Sequence, residues 1–309
     1  AMALLAIVGL SATACSNGAG EDSAGQAKDS GSHSTDFFGY MVNTRLATTN
    51  AGTSFGNAAN AAQLSSRLYP GIYMPGPSGQ MIPNSDLVQT EEIPASPENP
   101  YKQVNFTLSE QATFSDGVPV TCDDYLLAYT AGVMPAEFGS HMPLTSEIAH
   151  FDCAPNAKKF TITFNKDQGD RWRYLFGPGT VMPAHAVAKK AGMNLEELNA
   201  ALSTQDPASL QQVAETWRYG FSTTAEDFDP ALQVSFGPFV VDKVGESGEV
   251  ILRANEEYFG DQPSTDRVVL WPNTADAKAL RESGNLRVVD AGSAKPKWLP
   301  AADEASPYE

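Results

Sequence analysis

From Thr113 to Ala131 the chain reads TFSDGVPVTCDDYLLAYTA, and no other stretch constrains the fold as much. Ala112 to Phe114 is short, apolar and β-branched, which predicts a strand. Asp116-Gly117 is a turn dipeptide, because glycine accepts positive φ without steric cost. Val118-Pro119-Val120 leads into Thr121, which stands where a helix N-cap belongs. Asp123 and Asp124 then fall in the first turn, where the helix dipole favours negative charge. Tyr125, Leu126, Tyr129 and Thr130 follow near helical spacing and give the helix one buried face.

These residues resemble a known signature. Phe114 to Thr121, with Asp123, Asp124 and Tyr129, is similar to the motif of the family 5 extracellular solute-binding proteins, the oligopeptide and dipeptide receptors of ABC importers. Phe236-Gly237-Pro238-Phe239-Val240-Val241 through Asn255-Glu256-Glu257-Tyr258-Phe259-Gly260 resembles the family's second block, and Val181-Met182-Pro183-Ala184-His185 a third. A strand at Asp266 to Leu270, a helix start at Thr274 to Ala277 and a strand at Leu286 to Asp290 also fit, so the resemblance spans most of residues 36–290. It implies a mixed α/β (α+β) fold of the type II periplasmic-binding-protein kind, with two lobes closing on a ligand about a hinge. The first lobe would comprise residues 36–88 and 231–290, with a sub-domain inserted at 89–230. Residues 291–309 would begin the crossing to a second lobe, which is expected to be largely missing from this chain.

In chain order, residues 3–14 are apolar and small, too short to span a bilayer, and read as the apolar region of a secretory signal, with 1–14 its remnant. Ala12-Thr13-Ala14-Cys15 resembles a lipobox, departing from the usual pattern at Ala12; the alternatives are acylation of Cys15 or a plain secretory peptide with a chance cysteine. Residues 15–35 are Gly, Ser, Ala and charge, and read as a disordered lipoprotein tether. Beyond them, Phe37 to Leu46 is strand-like, and Thr53 or Ser54 caps a helix reaching Tyr69, stopped by Pro70. Residues 70–100 form a turn-rich excursion. Tyr101 to Leu108, Ile148 to Cys153 and Lys159 to Phe164 predict strands, with Phe160, Ile162 and Phe164 on one face. Asn194 and Asp206 cap helices at 195–202 and 207–218, and Phe236 to Val244 pairs with Gly248 to Arg253 as a hairpin.

The formal net charge of −17, with no basic stripe or tail, argues against nucleic acid as a partner and against charge-driven binding to an anionic membrane. Any membrane contact is expected through the lipid alone. With Cys15 acylated, Cys122 and Cys153 remain as an even pair, which in an exported protein predicts a disulfide worth about 3 kcal/mol. Two buried free thiols are the alternative.

Motifs for chemistry are absent: no nucleophile elbow, no H-E-x-x-H and no P-loop, and the four histidines make no metal-spaced cluster. No enzyme, cofactor or metal is therefore expected. Asp123-Asp124 reads as first-turn charge or as an acid–base pair; Arg171-Trp172-Arg173-Tyr174 as a pocket lining or an amphipathic surface segment. Tyr73, Trp217 and Trp271 are core or cleft aromatics. The resemblance points to the loop Asn50, Ala51, Gly52 and Thr53 and to the strand end at Trp271 as ligand-binding. It implies a monomeric, extracytoplasmic, lipid-anchored receptor that delivers peptides or another small solute to an ABC permease. The competing reading is a non-transport envelope lipoprotein, since some actinobacterial lipoproteins of this fold act in cell-wall lipoglycan synthesis.

Overall fold

The structure is a computed structural model that describes residues 37–292. The signal remnant, Cys15, the tether and residues 293–309 lie outside the described residues.

In chain order the elements are β1 (Phe38–Met41), α1 (Ser54–Ala58), α2 (Ala62–Ser65), β2 (Tyr73–Pro75), β3 (Met81–Pro83), β4 (Val88–Ile93) and β5 (Gln103–Leu108). There follow α3 (Cys122–Val133), α4 (Pro135–Phe138), β6 (Ile148–Cys153), β7 (Lys159–Phe164), α5 (Ala184–Lys190), α6 (Leu195–Thr204) and α7 (Pro207–Tyr219). The described chain ends with β8 (Phe239–Val244), β9 (Val250–Ala254), β10 (Arg267–Trp271), α8 (Ala277–Glu282) and β11 (Val288–Val289). Single 3-10 turns stand at Pro143–Glu147 and Trp172–Tyr174.

Two sheets carry the fold. One has the order β11-β1-β10-β9-β8, with β1 parallel to both its neighbours and β9 antiparallel to its own. The other is antiparallel, β4-β5-β7-β6. Both β5 and β7 alternate strictly: Val104, Phe106 and Leu108, and Phe160, Ile162 and Phe164, are buried, while the residues between them face outward. Their inner faces meet α3, whose Tyr125 ring stacks on Phe160 at 5.0 Å, and Phe160 stacks on Phe106 at 4.5 Å. One hydrophobic core runs from these strands through α5, α6 and α7 to Leu252 and Leu270 of the other sheet.

Several expectations need correction. The helix foreseen from Thr53 to Tyr69 is α1 and α2, interrupted where Asn60 takes a left-handed φ of 51°; asparagine tolerates that region, so the chain turns there. Ala112 to Phe114 is not a strand: Thr113 makes a single bridge to Pro119, and Phe114 N–H donates to Val118 across the Asp116-Gly117 turn. The strand expected over 37–46 is only four residues, and that at 286–290 only two. Inside the turn-rich 70–100 stretch lies β4, a mostly exposed edge strand held by unbroken backbone pairing from Val88↔Leu108 to Ile93↔Gln103 rather than by apolar alternation.

Candidate functional site

The loop from Thr48 to Thr53 is buried along its whole length. Its polar groups are engaged within the protein. Asn50 Nδ2 donates to the Trp217 carbonyl at 2.7 Å and Asn50 Oδ1 accepts from Gly52 N–H at 3.0 Å. Thr53 Oγ1 donates to Asn50 O and accepts from Gly56 N–H at 2.8 Å, the cap of α1. Gly52 packs on the Trp217 indole so tightly that an added Cβ would lie 3.0 Å from the ring. The side chains of Asn50 and Thr53 thus shape the loop, and most of its backbone groups are paired inside the protein as well.

Two segments clamp this loop. Ala51 N–H donates to Gly179 O, Ser54 N–H to Gly139 O, and His141 N–H to Gly52 O, each at 2.8 Å. The same segments, His141 to Thr145 and Tyr174 to Thr180, wall an open, mainly apolar cleft of about 190 Å³. Leu175 and Phe176 are buried in its floor, whereas Tyr174 is 56% exposed at its rim. Phe176 adopts φ 53°, a left-handed backbone that bulky residues avoid at a cost of about 1–3 kcal/mol. Its ring is driven inward against Tyr125 (5.2 Å) and Phe160 (6.4 Å), and the reversal this imposes turns residues 177–180 along the cleft. Gly179, with φ 75°, lies so close to Ser65 and Ala51 that only glycine fits.

Trp271 stands elsewhere. It ends β10 beside Met41 of β1, and its indole N–H donates to Asn285 O at 3.3 Å. The carboxyl ends of the parallel strands β11, β1 and β10 lie together there, the edge at which open α/β sheets receive ligands. The edge is stitched by Asn273, whose N–H and side chain donate to Thr44 O and Asn43 O at 3.0 Å each. The loop is anchored instead on Gly139, Gly179, Trp217 and Phe221, so the two expected parts of the site rest on different neighbours.

The signature residues do other work. Asp123 and Asp124 are fully buried. Asp123 accepts from Thr121 Oγ1 (2.9 Å), Asn156 N–H (2.8 Å) and Asn199 Nδ2 (2.6 Å). Asp124 accepts from Thr121 N–H (2.9 Å) and from Ala184 N–H (2.7 Å), which ties the start of α5 to the start of α3. Burial pushes the Asp124 carboxyl up to about 7, against the pull of those two N–H groups. Beside them Cys122 and Cys153 are joined as a disulfide, with Cα atoms 5.8 Å apart. Cys122, Asp123 and Cys153 are also the one group of metal-ligating residues close together among the described residues, but both sulfurs are in the disulfide and Asp123 is saturated by donors.

The three sequence blocks meet in one seam. His185 Nε2 lies 3.1 Å from Asp116 Oδ2, and its ring is 4.9 Å from Phe114. Phe114 in turn packs edge-on to Phe236 at 5.5 Å, and Ser115 N–H donates to Ser235 O at 2.8 Å. Asn255 Nδ2 donates to Gly237 O at 2.9 Å. These motifs join the two sheets and leave the cleft to other residues. Arg171-Trp172-Arg173-Tyr174 divides its roles: Trp172 is buried and donates to Glu92 at 2.9 Å, Arg173 lies 4.4 Å over its ring, Arg171 pairs with Glu147, and only Tyr174 reaches the cleft. Residues 141–145 and 175–180 escape sequence reasoning, whereas Tyr174 belongs to the segment that reads as a pocket lining or an amphipathic surface. Their one signal is the apolar pair Leu175-Phe176 inside a Gly- and Pro-rich turn, where apolar residues lack a regular element to bury them.

Comparison with known proteins fits this architecture. The fold is that of the type II periplasmic binding proteins: the periplasmic EDTA-binding protein EppA matches at a TM-score of 0.64, 20% identity, 82% of this chain and 42% of its own. The oligopeptide-binding protein of Thermus thermophilus, complexed with a pentapeptide, matches at a TM-score of 0.52 and 17% identity, over 76% of this chain and 40% of its own. The chain belongs to the bacterial extracellular solute-binding proteins, family 5, whose middle-region model matches residues 95–306. An uncharacterized lipoprotein of Mycobacterium tuberculosis is 28% identical over 278 residues, 87% of this chain and 48% of the relative. The chain thus spans about half the length of the relatives it matches.

Proposed function

We propose that this chain supplies one lobe of an extracytoplasmic solute-binding lipoprotein that captures a peptide, or a similar small solute, and delivers it to an ABC permease. The observation that carries the reading is the open, mainly apolar cleft walled by residues 141–145 and 174–180, the segments that hydrogen-bond the buried loop Asn50 to Thr53. The names of the structural relatives add support, since one binds EDTA and one holds a pentapeptide. In this reading Asn50, Ala51, Gly52 and Thr53 belong to the binding site by holding the cleft walls in place, and Trp271 offers its ring face from the sheet edge. The first lobe is 36–88 and 231–290 with 89–230 inserted, a division supported by the five-stranded sheet drawing its strands only from 38–41 and 239–289. Cys15 carries the lipid, in line with the mycobacterial relatives being lipoproteins by name, and the receptor works as a monomer.

Native mass spectrometry of the full-length protein, purified from the membranes of its own cells, tests the reading. Retained masses that fragment as peptides support it. A retained glycolipid or lipoglycan precursor would replace it with a role in envelope assembly.

A further inference from the structure

We propose that the cleft between residues 141–145 and 174–180 is a subsite for one uncharged, apolar side chain of the bound solute, so that this receptor selects among peptides rather than accepting any sequence. The inference rests on the peptide reading above and narrows its substrate class.

Size and lining carry the argument. About 190 Å³ lies below the roughly 300–1,000 Å³ of sites that enclose a whole drug-sized ligand, and matches a single side chain. Met142, Pro143, Leu144, Leu175 and Phe176 supply most of the wall. The Thr180 hydroxyl is turned to Gly177 O at 2.8 Å and the Thr145 hydroxyl to Met142 O at 2.7 Å. No Asp, Glu, Lys or Arg lines it. A charged side chain placed there would lose water and meet no opposite carboxylate, lysine or arginine, only His141 and Tyr174, whereas an aliphatic or aromatic one would be favoured by burial.

Position is the second ground. The cleft is walled by the segments that hydrogen-bond the loop, through His141 N–H to Gly52 O and Ala51 N–H to Gly179 O. A solute side chain in the cleft therefore rests on the two segments that this loop holds together. Phe176 in its left-handed conformation is the third: strain of this kind collects at ligand clamps.

Gly177 provides the test. It lines the cleft, its φ is not in the left-handed region, and a Cβ added to it meets nothing within 4 Å. Gly177→Leu adds an apolar side chain at the cleft wall from a Cβ that meets no neighbour. Calorimetry on the full-length protein compares Ala-Leu-Ala and Ala-Phe-Ala with Ala-Glu-Ala, Ala-Lys-Ala and Ala-Ala-Ala. The expected result is that the two apolar peptides bind about tenfold or more tighter than the charged ones. Gly177→Leu should erase that advantage and leave Ala-Ala-Ala within about twofold. Equal affinities for apolar and charged peptides would overturn the subsite while leaving the peptide reading intact. Should Gly177→Leu fail to fold, the wild-type ranking of apolar over charged peptides decides alone. If no peptide binds, methyl NMR with isobutanol and p-cresol decides separately. Shifts at Leu144 and Leu175 that vanish in Gly177→Leu would keep an apolar subsite and discard the peptide reading; their absence would discard both.

Discussion

The first turn of α3 and the wall of the cleft share one hydrophobic core but are built on opposite terms. At the first turn, Asp123 and Asp124 are buried with donors on every oxygen, and a disulfide lies alongside. At the cleft, side chains are apolar, Tyr174 is exposed and the Phe176 backbone is strained. The region that carries the recognisable motif holds the fold together. The region that carries no motif faces the solvent and, in our reading, the solute.

The largest expected effect falls on Asp124. Asp124→Ala leaves the N–H groups of Thr121 and Ala184 buried without acceptors and should lose about 3–5 kcal/mol in urea denaturation. A loss below about 1 kcal/mol would abolish the contrast between the two regions. Removing the disulfide with Cys122→Ala and Cys153→Ala together should lower stability by about 3 kcal/mol, measured the same way. An unchanged denaturation midpoint would show that the helix start holds without it.

Acidity sharpens the comparison. The Asp124 pKa in the folded protein, about 7, lies above its ordinary value of 3.8. Its contribution to stability is therefore complete below about pH 4 and is lost as pH rises through 7. His185 works against it, because burial foremost lowers its pKa and its contribution is lost as pH falls. Denaturation at several pH values should thus show wild type losing stability relative to Asp124→Asn by about 1 kcal/mol per pH unit across that window. Parallel curves would mean that Asp124 stays ionised. The smallest effect belongs to a helix cap: Asp206, which accepts from Ser209 N–H at 3.2 Å on an exposed surface, should cost about 1 kcal/mol as Asp206→Ala.

What could be read from the sequence follows the range of the forces involved. Caps at Asn194 and Asp206 are local chemistry and mark the starts of α6 and α7. The alternation of Phe160, Ile162 and Phe164 is local too and marks β7. By contrast, β4 is held by its partner's backbone, and Val88-Gln89-Thr90-Glu91-Glu92-Ile93 shows no apolar period to announce it. Asp123 and Asp124 look like surface charge until Asn199, Asn156 and Ala184 arrive from distant parts of the chain. The cleft is hidden for the same reason: segments 141–145 and 174–180, far apart in the chain, are brought together across the loop at Ala51 and Gly52.

The most direct test is hydrogen exchange on the full-length protein with and without saturating Ala-Leu-Ala. Ligand-dependent protection is predicted at residues 50–54, 139–145 and 174–180, with none at the 113–124 seam or at His185. Protection concentrated at Asp116, His185 and the first turn of α3, with the cleft unchanged, would contradict the assignment of the motif to structure and the cleft to the solute.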